Sequence, residues 1–271
     1  MKIKLISIAK NQFIETSTKT IENTDLLILR FLHFLNNSIK RGIKMEVNYE
    51  YINPFDENYN YLMRVEHLGR YYFAADLLKN YKKILDVACA DGYGTKILSQ
   101  NAISVVGVDR NENYLSVAKT KYNNDNIEYE CVDLDSDTIN GSYDGIVCFE
   151  TLEHLKYPYN FLKNLYDILD ENGIIILSIP NSEYEIIENG KNKDSFHLHV
   201  FTYKDIVEKL QNVGFYINKV YGQSYINKIV NKEIEEYELT DIINDARTIA
   251  YPNEDDIKKT YSYIFILSKR S

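Results

Sequence analysis

With 271 residues, 45% apolar and 26% charged, the chain is long enough for one large domain or a domain with an appendage. A formal net charge of −9 argues against a dedicated nucleic-acid binder, which needs a basic surface to meet phosphates. No run approaches the ~18 apolar residues of a membrane span, and the apolar run after Lys2 is too short and interrupted for a signal peptide. The expectation is a soluble cytoplasmic protein with no membrane span.

Charge is uneven along the chain. Residues 1–44 hold eight Lys/Arg against three Asp/Glu, net +5, which leaves −14 for the remainder. This piece reads as an N-terminal helical appendage with a solvated basic face. Its apolar positions Leu26, Leu27, Leu29, Phe31, Leu32, Phe34 and Leu35 are spaced for a helix over about 23–39. A helix so apolar needs a partner surface, on its own domain or on a second copy, so a homodimer is open. Residues 45–271 read as one domain. After an Asn/Tyr/Pro-rich loop at 48–60, Tyr61 to Asn80 has helical spacing. Glu66, His67, Arg70 and Tyr71 lie on this helix, just before the first strand, and are candidates to close over a ligand.

The central stretch is Ile84-Leu85-Asp86-Val87-Ala88-Cys89-Ala90-Asp91-Gly92-Tyr93-Gly94-Thr95. It reads as a strand, a turn of small residues and a helix start, a junction that brings backbone N–H groups close to a ligand. Strand and helix patterns then alternate. The helices are 95–101, 112–122, 161–169 (stopped by Asn172-Gly173) and 203–212. The strands are 103–109, 127–132, 143–149, 174–179, 215–221 and 261–267. Continuous apolar strands between helices predict an α/β, Rossmann-like, seven-stranded, mostly parallel sheet with helices on both faces and the last strand antiparallel. The acid-rich segment 223–258 reads as an inserted helical flap.

Asp86, Asp109 and Asp133 stand in or at the end of three successive strand units. Ligands of open parallel sheets bind outside the carboxyl ends of the strands. An acid at the end of the second strand can accept from two ribose hydroxyls, and Asp133 can accept from a purine amine. The first turn lacks the Gly-x-Gly-x-x-Gly of a nicotinamide site, and Asp91 would face an incoming pyrophosphate. An adenosine with a cationic amino-acid tail suits the pattern better.

On these residues the chain resembles the class I S-adenosylmethionine-dependent methyltransferases, from about Arg64 to Tyr221 and in the final strand. The central stretch matches that family's first motif, and Val105-Val106-Gly107-Val108-Asp109 its ribose motif. The segments 143–155 and 169–181 match the two that follow. The resemblance implies S-adenosyl-L-methionine as cofactor and a small-molecule acceptor. It implies Asp109 with Arg110 at the ribose, Asp133 with Leu134 at the adenine, and Ala88, Ala90 and Gly92 along the methionine portion. Asp86, Arg70 and Glu150 would complete the cofactor site, with Phe149 beside the sulfonium. Ala90 departs from the usual glycine. The run Arg70-Tyr71-Tyr72-Phe73-Ala74-Ala75 is similar to members from surface-polysaccharide pathways. It implies a sugar-linked or phosphorylated acceptor in capsule biosynthesis, a phosphoramidate decoration among the options.

A hydroxyl acceptor needs a base, and His154, His197 and His199 are the candidates. His197 and His199 would share a face if extended. No third ligand is evident for a metal there, so none is expected. Cys89, Cys131 and Cys148 lie in apolar runs and read as reduced core thiols. Ala90 and the acidic flap leave open a second class, a methyltransferase-like binding module without catalysis.

Overall fold

The computed structural model describes residues 51–57, 59, 61–182, 187–188, 191–192, 197–223, 238–254, 257 and 260–270. The expected 1–44 appendage, its helix and any dimer contact through it lie outside the described residues. In chain order the elements are α1 (Tyr61–Leu77), β1 (Lys83–Val87), α2 (Tyr93–Leu98), β2 (Ser104–Asp109), α3 (Glu112–Lys121), β3 (Ile127–Cys131) and β4 (Tyr143–Phe149). A 3-10 turn (Leu152–His154), α4 (Pro158–Ile168), β5 (Leu169–Pro180) and a short ribbon of β6 (Ile187–Glu188) with β7 (Lys191–Asn192) follow. The described chain closes with α5 (Tyr203–Val213), β8 (Phe215–Gln223), α6 (Leu239–Thr248) and β9 (Ser262–Lys269).

Seven strands form one sheet in the order β3-β2-β1-β4-β5-β9-β8. Pairing is parallel from β3 through β5, whereas β9 runs antiparallel to both β5 and β8. The strand order reverses beside β1, so a crevice opens at the carboxyl ends of β1 and β4.

Residues two apart on a strand share a face, and the core divides accordingly. Leu85, Val87, Ile146, Cys148, Ile175 and Leu177 pack with Phe161, Leu162 and Leu165 of α4 and Ile206 and Leu210 of α5. On the other face Ile84, Val105, Val147, Ile176 and Ile264 pack with Val65, Leu68 and Phe73 of α1 and Ile242 and Ala246 of α6. The same parity sends Asp86, Ser178 and Ser262 to the α1 side, at the carboxyl edge of the sheet.

The structure shifts several expected boundaries. Pro158 at the first helical position starts α4 before Phe161, because its fixed φ suits a helix start. The helix stops at Ile168, and Asn172-Gly173 fall inside β5, which begins at Leu169 through a bridge to Tyr143. Helix α2 begins at Tyr93, two residues early. A Thr202–Asp205 capping box opens α5, and Gly214 ends it at φ 116°. Cys131 is exposed, contrary to the core-thiol reading, at the end of the edge strand β3, three of whose five residues are exposed; Cys89 and Cys148 are buried. Helix α6, the described helix of the 223–258 insertion, packs on α1. Tyr61 Oη donates to Asp245 at 2.5 Å, and the Arg247 guanidinium lies 3.9 Å from the Tyr72 ring centre.

Gly94 is a packing requirement, since a Cβ there would overlap the Tyr71 ring. Gly94→Ala is expected to lose about 1–3 kcal/mol of unfolding free energy by urea denaturation. Combined with Tyr71→Leu, the loss should fall short of the sum of the two single losses.

Candidate functional site

The first turn leaves β1 in an unusual conformation. Ala88, Ala90 and Gly92 all have positive φ, at 55°, 47° and 83°. Left-handed alanine costs on the order of 1–2 kcal/mol, so other contacts must hold the turn. Cys89 N donates to Val108 O at 3.0 Å, and Ala90 N donates to Asp109 Oδ2 at 2.9 Å. The other Asp109 oxygen accepts from Asn111 N at 2.8 Å. Both carboxylate oxygens of Asp109 thus brace the turn and the start of the following helix. Glycine is required at position 92, where a Cβ would stand 2.5 Å from Tyr129 Oη and 2.8 Å from Ala118 Cβ.

Asp91 lies on the turn, 3% exposed. Its Oδ2 accepts from Asn53 Nδ2 at 2.8 Å, while Oδ1 is buried without a hydrogen bond. A buried carboxylate oxygen in that state is costly until a donor meets it. The segment from Tyr51 crosses above: Tyr51 packs on Tyr114 with ring centres 4.6 Å apart, and Phe55 meets the edge of Tyr93 at 6.3 Å. Cover from 51–55 was not foreseen; the Asn/Tyr/Pro richness there reads only as loop.

Asp86 has no exposed surface. Tyr71 Oη and Thr95 Oγ1 donate to it at 3.1 and 2.6 Å. Burial pushes its carboxyl up to about 7, against the lowering effect of those two bonds. Beside it, Arg70 is 2% exposed. Its Nη1 donates to Glu66 Oε1 at 2.9 Å and Gln223 Oε1 at 3.0 Å. His67 Nδ1 lies 3.2 Å from Tyr93 Oη, and burial together with Arg70 keeps its pKa well below the ordinary histidine range. Phe149 packs edge-on to Tyr71 at 5.2 Å. Glu150 follows at φ 43°, turning its carboxylate back to accept from Ser178 Oγ at 2.6 Å and Ser262 Oγ at 3.4 Å. At the far edge Asp133 is exposed and accepts from Asp135 N at 3.0 Å, Leu134 is half-buried, and Arg110 is exposed.

The histidines divide. Backbone N–H groups of Leu198 and His199 donate to Glu153 O at 2.8 and 3.0 Å, which anchors their segment to the 3-10 turn. His197 meets His154 edge-on with ring centres 4.8 Å apart, whereas His199 stacks on Phe201 at 5.6 Å. Buried Glu153 joins the first pair, with Oε1 3.8 Å from His154 Nε2. Glu153, His154 and His197 offer ligand atoms within 4.8 Å of one another, a set that a divalent cation can share. Glu153 is the third group that sequence spacing did not supply, because it reaches His197 only through the fold.

Residues 55–220 match a protein family described as a methyltransferase domain. A ubiquinone biosynthesis O-methyltransferase of Coxiella burnetii is 32% identical over 107 residues, 38% of this chain and 46% of that protein. The chain thus spans about half the length of the curated relatives it matches. Among solved structures, an S-adenosylmethionine-dependent methyltransferase of Clostridium acetobutylicum superposes with TM-score 0.54 at 15% identity, over 90% of this chain and all of that one (100%). An O-methyltransferase of Brevibacillus brevis, solved with S-adenosyl-L-homocysteine, superposes with TM-score 0.52 at 16% identity, over 77% of this chain and 73% of that one. These likenesses are of fold. No helix among the described residues is long and apolar enough to cross a membrane.

The raised Asp86 carboxyl makes stability pH-dependent. Its folded pKa of about 7 exceeds the ordinary 3.8, so the native state binds the extra proton between those values. Its contribution is full below pH 3.8 and is lost as pH rises through about 7. In chemical denaturation across that window, Asp86→Asn is expected to remove this part of the decline and to gain on the wild type at the alkaline end.

Proposed function

Since the chain belongs to the methyltransferase domain family, we propose that it transfers a methyl group from S-adenosylmethionine to an oxygen of a small acceptor. The observation that carries this reading is the first turn, with its three left-handed residues, the Asp109 brace and the buried Asp91 oxygen lacking a donor. Asp91 Oδ1 suits an ammonium group, and the residues present fit an adenosine with an amino-acid tail. S-adenosylmethionine, when bound, supplies a methyl group on a sulfonium whose departure leaves a neutral thioether.

The chain's own groups have separable tasks in this reading. Asp109, beside Arg110, accepts from the ribose hydroxyls, and Asp133 with Leu134 borders the adenine. The backbone of Ala88, Ala90 and Gly92 runs along the methionine portion, above Asp86. Arg70 donates to its carboxylate, and Phe149 and Glu150 border the reacting end. The acceptor hydroxyl is held in line with the methyl group, and its proton passes to His154. Alternatively, Glu153, His154 and His197 would hold a divalent cation, which would lower the acceptor pKa.

Two acceptor classes have separate support. The run Arg70 to Ala75 favours a sugar-linked or phosphorylated acceptor of a surface-polysaccharide pathway, a phosphoramidate decoration among them. The name of the Coxiella burnetii relative favours a hydroxyl on a quinone precursor. A module that binds the cofactor without turnover is the remaining reading.

Calorimetry should show binding of S-adenosylmethionine and of S-adenosylhomocysteine; absence of heat with both rejects the proposal. Release of S-adenosylhomocysteine with phosphorylated sugars or with dihydroxybenzoates identifies the acceptor class, and silence across a broad acceptor panel favours the binding module. His154→Gln is expected to lower kcat about 10²–10⁴-fold with cofactor affinity retained. Dialysis against a chelator leaves a general base working but stops a cation site until Mg²⁺ or Mn²⁺ is restored.

A further inference from the structure

Gln223 has no exposed surface, lies at the end of β8, and has no task in the reaction above. Its side-chain amide is committed at both ends. Nε2 donates to Glu66 O at 3.0 Å and to Ala250 O at 2.7 Å, while Oε1 accepts from Arg70 Nη1 at 3.0 Å. A flipped amide would aim its oxygen at two carbonyls and its NH2 at a guanidinium. The two carbonyls therefore fix which end faces Arg70. The backbone is held as well, with Gln223 N donating to Thr260 Oγ1 at 2.6 Å.

Among the described residues, Arg70 takes both of its hydrogen bonds through one nitrogen. Nη1 serves Glu66 Oε1 and Gln223 Oε1, and neither Nε nor Nη2 hydrogen-bonds to another described residue. Glu66 sits one helical turn away on the same helix, so that pair alone lets the guanidinium swing with the two side chains. Gln223 approaches from a different element, 153 residues away in sequence. Two acceptors from two elements define the plane of the fork. Its electrostatic neighbours include Glu150, the residue after β4, and Tyr93, at the start of α2. Tyr93 follows β1 and Glu150 follows β4, so both lie at the carboxyl edge where the crevice opens.

We infer that Gln223 is a positioning residue that aims the free side of the Arg70 guanidinium at the carboxylate of the bound cofactor. The inference rests on the cofactor reading above. Gln223 touches no ligand; it acts through Arg70, and its effect is confined to ligands that carry the amino-acid carboxylate.

Two nucleosides separate this role from a general structural one. S-adenosylhomocysteine carries the amino-acid end, and 5′-methylthioadenosine keeps the adenosine and sulfur without it. By calorimetry on the full chain, Gln223→Met is expected to weaken S-adenosylhomocysteine about tenfold, the size of one charge-assisted hydrogen bond, and to leave 5′-methylthioadenosine within about twofold. Gln223→Asn, which withdraws the amide by one methylene while keeping it polar, carries the same expectation should the methionine variant fail to fold. Equal losses for both nucleosides, or no loss for either, overturn the role of Gln223 alone. A wild-type chain that binds neither nucleoside overturns the cofactor reading and this role together.

Discussion

A carboxylate with no solvent exposure lies under the first turn, and much of the site follows from what keeps it there. Asp86 faces the α1 side because β1 alternates, and an unaided charge in that layer would be costly. Tyr71 from α1 and Thr95 from α2 supply its two side-chain donors. Delivering the Tyr71 hydroxyl requires its ring to cross the start of α2, and the missing Cβ of Gly94 makes the room. The second glycine of the motif thus serves the protein's own tyrosine. Helix α1 is fastened to the turn through the residue that solvates the acid, and it brings Glu66, His67 and Arg70 with it.

The turn itself depends on a second acid. Ala88 and Ala90 occupy a backbone region that glycine enters more cheaply, and the Asp109 carboxylate compensates by receiving Ala90 N. Ala90 was read as a departure from the usual glycine. In the structure its strained conformation is already paired with a hydrogen bond from the neighbouring strand end. A residue at the tip of β2 therefore sets the shape of the loop after β1, consistent with the parallel register that places Val87 beside Val108.

Most of the sheet was legible because its signals are local. Apolar runs bounded by turns located the strands, and acids at the ends of β2 and β3 marked the carboxyl edge. What escaped depends on contacts between distant segments. Nothing around Gln223 distinguishes it from a strand-end glutamine, yet it meets Arg70 and Glu66. Glu153 looked like any acid before a histidine until the chain returned with His197. Spacing paired His197 with His199, but the backbone bonds to Glu153 O and the Phe201 ring separate them. Cys131 was misread because an apolar run does not say whether its strand lies at an edge. The start of α4 was missed by three residues because Pro158 opens a helix as readily as it ends one.

The balance of charge around α1 bears on turnover. Arg70 is buried with Glu66 as its ion-pair partner and Glu150 as a further electrostatic neighbour; Asp86 and Asp91 lie below and beside the first turn. Two acids thus act on one guanidinium, and Asp86 titrates near neutrality because burial opposes its charge. Such a region is short of positive charge. In the proposed cofactor reading, a ligand with an ammonium and a sulfonium would offset that deficit, while its carboxylate would meet Arg70. In the proposed reaction methyl transfer removes the sulfonium charge and leaves the ammonium and carboxylate in place. The attraction lost would be the one nearest the reacting carbon, and the product would be held by its two ends alone. Interactions that weaken as the reaction proceeds favour turnover over product retention, and here they arise from acids whose first role is to hold the fold.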